Sequence, residues 1–309
     1  MKKILILYTD KNDFARFYLR NMMNEDVDAL PIYRYRNKGI LRIMQICMLL
    51  HLPAIHLWFA DWRRKLAQYS TVVIFEELPT ECVVEYVKRK NSSCRIIYWY
   101  WNTVKRVPKN RNIAEYWSFD YADCKKFRLN FNNQFGFVVG NRNEMKNVEN
   151  TDVFFVGIDK HRYAYLKKIE KDLNEKGINT KFLIVRDRST PKNSHCLSNM
   201  LPYDEVIKEV KQSRCLLDIV KEGQTGVTLR FIEAAFYGKK VITNNKYVLE
   251  HPLYDKNRVF ILEYDEWERI SEFVNKKEPL IKDNDIFDYT YQGWLNKFGI
   301  TNKREEMPK

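Results

Sequence analysis

Residues 222–245 read EGQTGVTLRFIEAAFYGKKVITNN, and the fold turns on how this stretch is taken. Glycine is scarce, ten in 309 residues, yet three stand here, at 223, 226 and 238. The apolar run CLLDIV precedes the loop and reads as a buried strand. VTLRFIEAAFYG has helical spacing, and KKVITN starts another strand. A strand, a glycine loop and a helix make a place for an anion. Backbone N–H groups at a helix N-terminus point outward with the positive end of the macrodipole behind them. The expectation is a helix opening at Gly226, with Gly223 and Gly226 letting the backbone approach a phosphate. Arg230 lies one turn on, suited to a bidentate contact with a diphosphate. Glu233, three residues later on the same face, can accept from both hydroxyls of a ribose. The alternative is an internal i,i+3 ion pair between Arg230 and Glu233, with the glycines serving only as turns.

Outward from this stretch the chain alternates strand and helix patterns. KILILYT, STVVIFEELP and CRIIYWYWN are strands of the first half, with YWSFD and FGFVVG as shorter candidates. DFARFYLRNMM and TECVVEYVKRKN are helices, the second with Thr80 as a plausible N-cap. RNEMKNVENTD is polar and reads as a linker. The pattern restarts with the strand VFFVGID, the helix HRYAYLKKIEKDLNEKG closed by Gly177, the strand NTKFLIVRD and the helix YDEVIKEVKQS. The later segments NRVFILEYD, EWERISEFVNKK and DYTYQGWLNKFG complete it. Such alternation predicts an α/β protein of two Rossmann-like domains facing each other across a cleft. The expected division is 1–141, a linker at 142–152, 153–285, and a C-terminal helix or tail at 286–309 that returns to the first domain.

Ligands of such sheets lie beyond the carboxyl ends of the strands, which singles out further residues. Gly157 ends a strand, and Lys160 and Arg162 follow where a cation reaches a diphosphate. The alternative for them is solvated charge. Arg186 and Arg188 follow another strand, Arg186 being the better placed for a ligand. Tyr203, before a helix that Asp204 helps start, suits stacking on a base or packing on the core. Asp10, Glu76 and Glu77 end first-half strands and are the candidates for a general base. Each of the three also suits a helix cap or a solvated loop. Asp120 and Asp123 form DxxD rather than DxD, and His51, His56, His161, His195 and His251 lack ligand spacing, so no metal is expected. The six cysteines hold no CxxC and read as scattered reduced thiols.

The net charge of +13, with 45% hydrophobic, 30% charged and 14% aromatic residues, describes a globular chain with an anionic partner. Residues 39–66 are the most apolar window. Arg34, Arg36, Lys38 and Arg42 precede its uninterrupted run from Ile43, and Arg63, Arg64 and Lys65 follow. It suits an interfacial helix pair on an anionic leaflet, or equally a buried hairpin, better than a membrane span. A second basic stretch, 88–111, suits a lipid-linked pyrophosphate or an anionic glycan. The N-terminal apolar run is too short for a signal peptide. Zinc spacing, an RNP motif and a convincing helix-turn-helix are all missing, so nucleic acid is not the expected partner.

GVTLRFIEAAFYGKKVITNN resembles the donor-site segment of GT-B glycosyltransferases. Together with FFVGIDKHR and YWSFDYADCKKF it is similar to bacterial proteins of capsule, exopolysaccharide and lipopolysaccharide gene clusters. The strong part spans roughly residues 151–250. The resemblance implies that Glu233 holds the ribose of a nucleotide sugar, and that Thr225, Gly226 and Thr228 lie where diphosphate and sugar bind. The family's second acid, eight residues before that Glu, is replaced by Thr225. Its Gly-Gly loop after the first strand is replaced by YTDKNDF. The implied activity is sugar transfer from a nucleotide-sugar donor to a glycan acceptor, lipid-linked by expectation. It needs no cofactor or metal and would act in the cytoplasm or peripherally on the inner face of its membrane. Arg230 would help the diphosphate leave. The alternatives are a GT-B-like sugar-nucleotide epimerase and a basic nucleic-acid-binding protein.

Overall fold

The computed structural model describes residues 4–10, 12–34, 37–49, 55–76, 80–108, 111–140, 142 and 149–300. The chain divides into two compact units, Met1–Asn133 and Gln134–Lys309.

The first unit runs β1 (Ile4–Tyr8), α1 (Asp13–Met22), β2 (Val27–Pro31), α2 (Lys38–Leu49), β3 (Thr71–Glu76), α3 (Glu81–Lys90), β4 (Arg95–Tyr100), β5 (Glu115–Ser118), α4 (Tyr121–Phe127) and β6 (Asn130–Phe131). The strands form one parallel sheet in the order β2-β1-β3-β4-β5-β6. Every residue of β1 is buried, as a parallel strand covered on both faces requires. Three 3-10 turns between 55 and 68 follow α2, and the buried Trp62 among them donates to the Ile32 carbonyl at 3.0 Å. Aromatic side chains fill this unit. Trp62 and Trp99 are fully buried, and half-buried Trp101 packs against Tyr8, Phe14, Tyr18 and Phe75 with ring centroids 5.1 to 6.4 Å away.

The second unit runs β7 (Thr151–Ile158), α5 (Tyr163–Glu175), β8 (Thr180–Val185), α6 (Tyr203–Lys211), β9 (Ser213–Asp218), α7 (Leu229–Phe236), β10 (Lys240–Thr243), β11 (Val259–Ile261), α8 (Ile270–Asn275), α9 (Asp283–Ile286) and α10 (Tyr291–Lys297). Its sheet is again parallel, ordered β11-β10-β9-β7-β8. Val153, Phe155, Ile184, Leu217, Ile242 and Phe260 share one core. Helix α5 ends as expected, with Gly177 in the left-handed region at φ 74°.

The two-sheet α/β architecture is the one expected, and several local readings change. FGFVVG forms no strand. Gly136 makes an isolated bridge to Thr290, and Phe135 stacks on Trp294 of α10 at 4.3 Å, so this segment belongs to the second unit. Residues 143–148 of the expected linker lie outside the described residues. Arg142 is buried in the second unit and donates to the Phe236 carbonyl at 2.6 Å, at the end of α7. Thr80 takes the N-cap position of α3 as expected, but its hydroxyl bonds the Tyr98 hydroxyl at 2.7 Å and makes no cap bond. No helix among the described residues is long and apolar enough to cross a membrane. Within 39–66 the helix α2 has twelve residues, and His51 and Pro53 lie outside the described residues.

Candidate functional site

Parallel sheets bind ligands where the strand order reverses. In the second unit the chain moves from β7 to β8 on one side and then to β9 on the other. The reversal therefore falls between the carboxyl ends of β7 and β9. Arg162 occupies it. Its Nη2 donates to the Ile158 carbonyl at 2.8 Å, its Nε to the Asp159 carbonyl at 3.1 Å, and its Nη1 to the Ile219 carbonyl. It thus ties the two strand ends together, and burial holds it below the usual arginine range. Lys160 and His161 precede it with φ 50° and 66°, a left-handed pair of non-glycine residues. The loop after β8 braces this turn. Lys160 N donates to Asp187 Oδ2 and His161 N to Ser189 Oγ, both at 2.9 Å. Desolvation, then the neighbouring Lys221 and Arg162, lowers the Lys160 pKa, although the residue stands exposed at the surface. Cations thus gather at the reversal. Gly157 lies just below, where a β-carbon would meet the Phe155 ring at 3.3 Å.

The loop after β9 differs in detail from the expectation. Helix α7 begins at Leu229, not Gly226, because Thr228 is the N-cap. The Thr228 hydroxyl accepts from Arg230 N at 3.0 Å and donates to Asp218 Oδ1 at 2.8 Å. This cap already satisfies two backbone donors of the helix. Gly223 turns the loop at φ 79°. Gly226 is buried, and its carbonyl accepts from Gln224 Nε2 at 3.1 Å. Thr225 is half-buried, and its carbonyl accepts from Asn245 Nδ2 at 3.3 Å.

Glu233 is buried on the second turn of α7, 1% exposed. Its Oε2 pairs with the Arg230 guanidinium, and its Oε1 accepts from the Tyr203 hydroxyl. Burial raises its pKa, against the pull of Arg230 and Tyr203. The i,i+3 ion pair weighed against a ligand role is therefore formed. Tyr203 is buried at the start of α6 and presents its hydroxyl to Glu233. Arg186 is exposed and holds its own loop through the carbonyls of Ser194 at 2.9 Å and Pro191 at 3.3 Å.

Three participants were not singled out from sequence. Asp218, the last residue of β9, is buried, and burial pushes its pKa up to about 6. Asn244 grips Val220 through both atoms of its amide, at 2.8 and 3.2 Å. Asn245 caps the following turn and reaches the loop carbonyls. Two amides directly after the buried strand KKVIT were the signal, since a polar pair at a strand's carboxyl end has backbone to bind.

In the first unit the reversal lies between β1 and β3, and Asp10 and Glu76 stand at the ends of those strands. Asp10 helps line a cavity of about 500 Å³ with Tyr33, Arg34, Asp61 and Arg64. Trp101 just follows β4 near the same ends. Glu77 lies outside the described residues. Asp120 caps α4 through Asp123 N at 3.0 Å, and Asp123 accepts from Val104 N at 2.6 Å, so both acids of DxxD serve local structure. No cluster of His, Cys, Asp and Glu suited to a metal occurs among the described residues. In the basic stretch 88–111, two arginines are engaged within the protein. Arg95 forms a two-bond pair with Glu115 at 2.7 and 2.8 Å, and Arg111 donates to the Phe127 carbonyl at 2.6 Å.

No protein-family model matches the chain, and no curated protein does. Among solved structures it is similar to a glycosyltransferase from Rickettsia africae ESF-5, at 9% identity, 97% of each chain and a TM-score of 0.48. It is similar also to the DNA-modifying enzyme beta-glucosyltransferase, solved with and without uridine diphosphoglucose. There the identity is 12%, the coverage 96% of this chain and 95% of that one, and the TM-score 0.46. A third is Anabaena HepE in complex with UDP-glucose, at 12% identity, 89% of each chain and a TM-score of 0.44.

Proposed function

We propose that this chain is a GT-B glycosyltransferase that takes a nucleoside diphosphate sugar as donor and a glycan, lipid-linked in a surface-polysaccharide pathway, as acceptor. The observation that carries the reading is the reversal between β7 and β9. There Lys160, Arg162 and Lys221 meet the capped start of α7, with Arg230 and Glu233 one turn apart. Cations and a helix N-terminus suit a diphosphate, and an adjacent carboxylate suits a ribose.

The bond from the anomeric carbon to the diphosphate breaks, and the acceptor oxygen takes its place. The charge released appears on the diphosphate, where Arg230 and Lys160 and the dipole of α7 stabilise it. The acceptor proton passes to a carboxylate of the first unit, Asp10, Glu76 or Glu77. Thr225, Gly226 and Thr228 line the diphosphate and sugar, Arg186 and Tyr203 the nucleoside side, and no resident metal or cofactor takes part. For Glu233 to meet a ribose it must exchange its present partners. The donor thus competes with Arg230 and Tyr203, and a freed Arg230 turns to the leaving group. Peripheral contact with an anionic leaflet goes with the lipid-linked acceptor. It rests on the exposed Ile43 and Ile46 of α2 and Leu57 after it, beside exposed Arg42 and Arg64.

Thermal shift against nucleoside diphosphates and their sugars tests the reading. Stabilisation by one nucleoside diphosphate is expected. Glu233→Ala should weaken its binding at least about tenfold by calorimetry, the loss of roughly 1.4 kcal/mol. An unchanged dissociation constant removes Glu233 from the site, and a shift with nucleic acid alone overturns the proposal.

A further inference from the structure

Strands β9 and β10 open at the edge of the second sheet opposite the loop just described, and charge is buried there too. Lys239, the residue before β10, is 5% exposed. Its ammonium makes no hydrogen bond among the described residues, and its nearest carboxylate, Glu149, is 4.0 Å away. Its neighbour Lys240 is equally buried, but its donors are engaged: Lys240 Nζ donates to the carbonyls of Phe273 and Lys276 at the end of α8. Arg214, the second residue of β9, is likewise engaged, with Glu149 at 3.1 Å, Asp152 at 3.4 Å and Asn275 at 2.7 Å. Of the three, Lys239 alone has a long ion pair with Glu149 as its one contact to an acceptor, so its ammonium keeps capacity for another.

The ammonium borders a cavity of about 220 Å³. Five cationic residues line it against two acids, and with Asp152 paired to Arg214 just behind, two positive charges remain in surplus. Water accounts for about 30 Å³ per molecule, so the space exceeds one or two ordered waters. Water would also leave the surplus charge uncompensated. We propose that this pocket is a second anion site, built for a phosphate group carried on a small molecule, with Lys239 as its buried anchor and Lys277 at its exposed rim. It is distinct from the proposed donor site. The six residues of β9 separate the two, roughly 17 Å at the rise of a strand. Helix α7 joins them, because it is capped by Thr228 in the donor loop and runs into Tyr237 and Gly238 on the pocket wall. Gly238 has φ 63°, and a β-carbon there would meet Leu280 Cδ2 at 2.5 Å, so the wall is drawn in where the ligand would lie. Burial lowers the Lys239 pKa, and an adjacent anion would restore its charge.

Inorganic pyrophosphate titrated calorimetrically into the full chain is the test. The expected result is binding that Lys239→Met weakens about tenfold or more, as loss of a charge-assisted contact implies, while Arg230→Ala in the donor loop leaves that binding component in place. Lys277→Glu, at an exposed position that folding does not need, should weaken it as well and decides the matter if Lys239→Met does not fold. Absence of pyrophosphate binding at millimolar concentration overturns the proposal. So does binding abolished by Arg230→Ala, or binding indifferent to both lysine variants.

Discussion

Two buried titrating side chains of the second unit pull in opposite directions. Burial raises Asp218 from 3.8 to about 6 and lowers His251 from 6.5 to about 4. His251 sits against Phe231 and Tyr289, with its Nδ1 accepting from Leu253 N at 3.2 Å. The folded Asp218 takes up a proton more readily than the unfolded one. Its contribution favours the fold in acid and is lost as pH rises through about 6. The folded His251 resists its proton, so its contribution is present above 6.5 and lost as pH falls toward 4. The two slopes offset in the wild-type chain. Asp218→Asn should therefore make stability fall more steeply on acidification, and His251→Gln should flatten or reverse that fall. Each effect is on the order of 2 to 3 kcal/mol across the window. Urea midpoints measured at several pH values check both. A parallel pH dependence in the two variants would mean that these groups do not titrate as their surroundings dictate.

At the scale of elements, the apolar runs of β1, β3, β4, β7 and β9 were legible because parallel strands buried on both faces show as continuous hydrophobic stretches. Strand β2 was not, since VDALP carries an acid and ends in proline. It is an edge strand, and Asp28 accepts from the Tyr69 hydroxyl at 2.6 Å, a partner forty-one residues away. The start of α7 was misplaced for a similar reason. Glycine marks a flexible loop, but which hydroxyl caps the helix depends on Asp218, ten residues earlier in the chain. Spacing alone placed Arg230 and Glu233 one turn apart on the same helix. The Arg230–Glu233 pair was legible as an alternative, but that Tyr203 joins it was not, because Tyr203 reaches Glu233 across thirty residues. Thr228→Ala should destabilise the second unit by about 1 to 2 kcal/mol through loss of the cap. The loss of the Asp218 partner adds to this, and denaturant unfolding reads both. A Thr228→Ser variant should retain most of the stability, since it keeps the hydroxyl.

For the molecule as a whole, the charge of +13 is not a uniform invitation to polyanions. Arg95, Arg111, Arg142, Arg162 and Arg214 are each bound to carboxylates or carbonyls of the protein itself. What remains outward on α2 and beyond combines cations with exposed isoleucine and leucine. Sedimentation with vesicles should show binding to anionic but not to neutral lipid, weakening with salt as a surface attraction does. Ile43→Ser with Ile46→Ser should reduce it several-fold, by removing apolar area from the lipid boundary, with the fold intact because both side chains are exposed. Equal binding to neutral vesicles, or no effect of the double variant, would assign the association to other residues.

The aromatic filling of the first unit also makes the chain its own reporter. Five of its seven tryptophans, Trp58, Trp62, Trp99, Trp101 and Trp117, lie in that unit, and only Trp267 and Trp294 in the other. Intrinsic emission on denaturation therefore follows chiefly the first unit, while loss of the second passes with a smaller signal. The same imbalance sorts ligands. A molecule that enters beside Trp101 quenches the chain's fluorescence, and one that binds at the β7–β9 ends leaves it nearly unchanged, so a single titration tells which half has been filled.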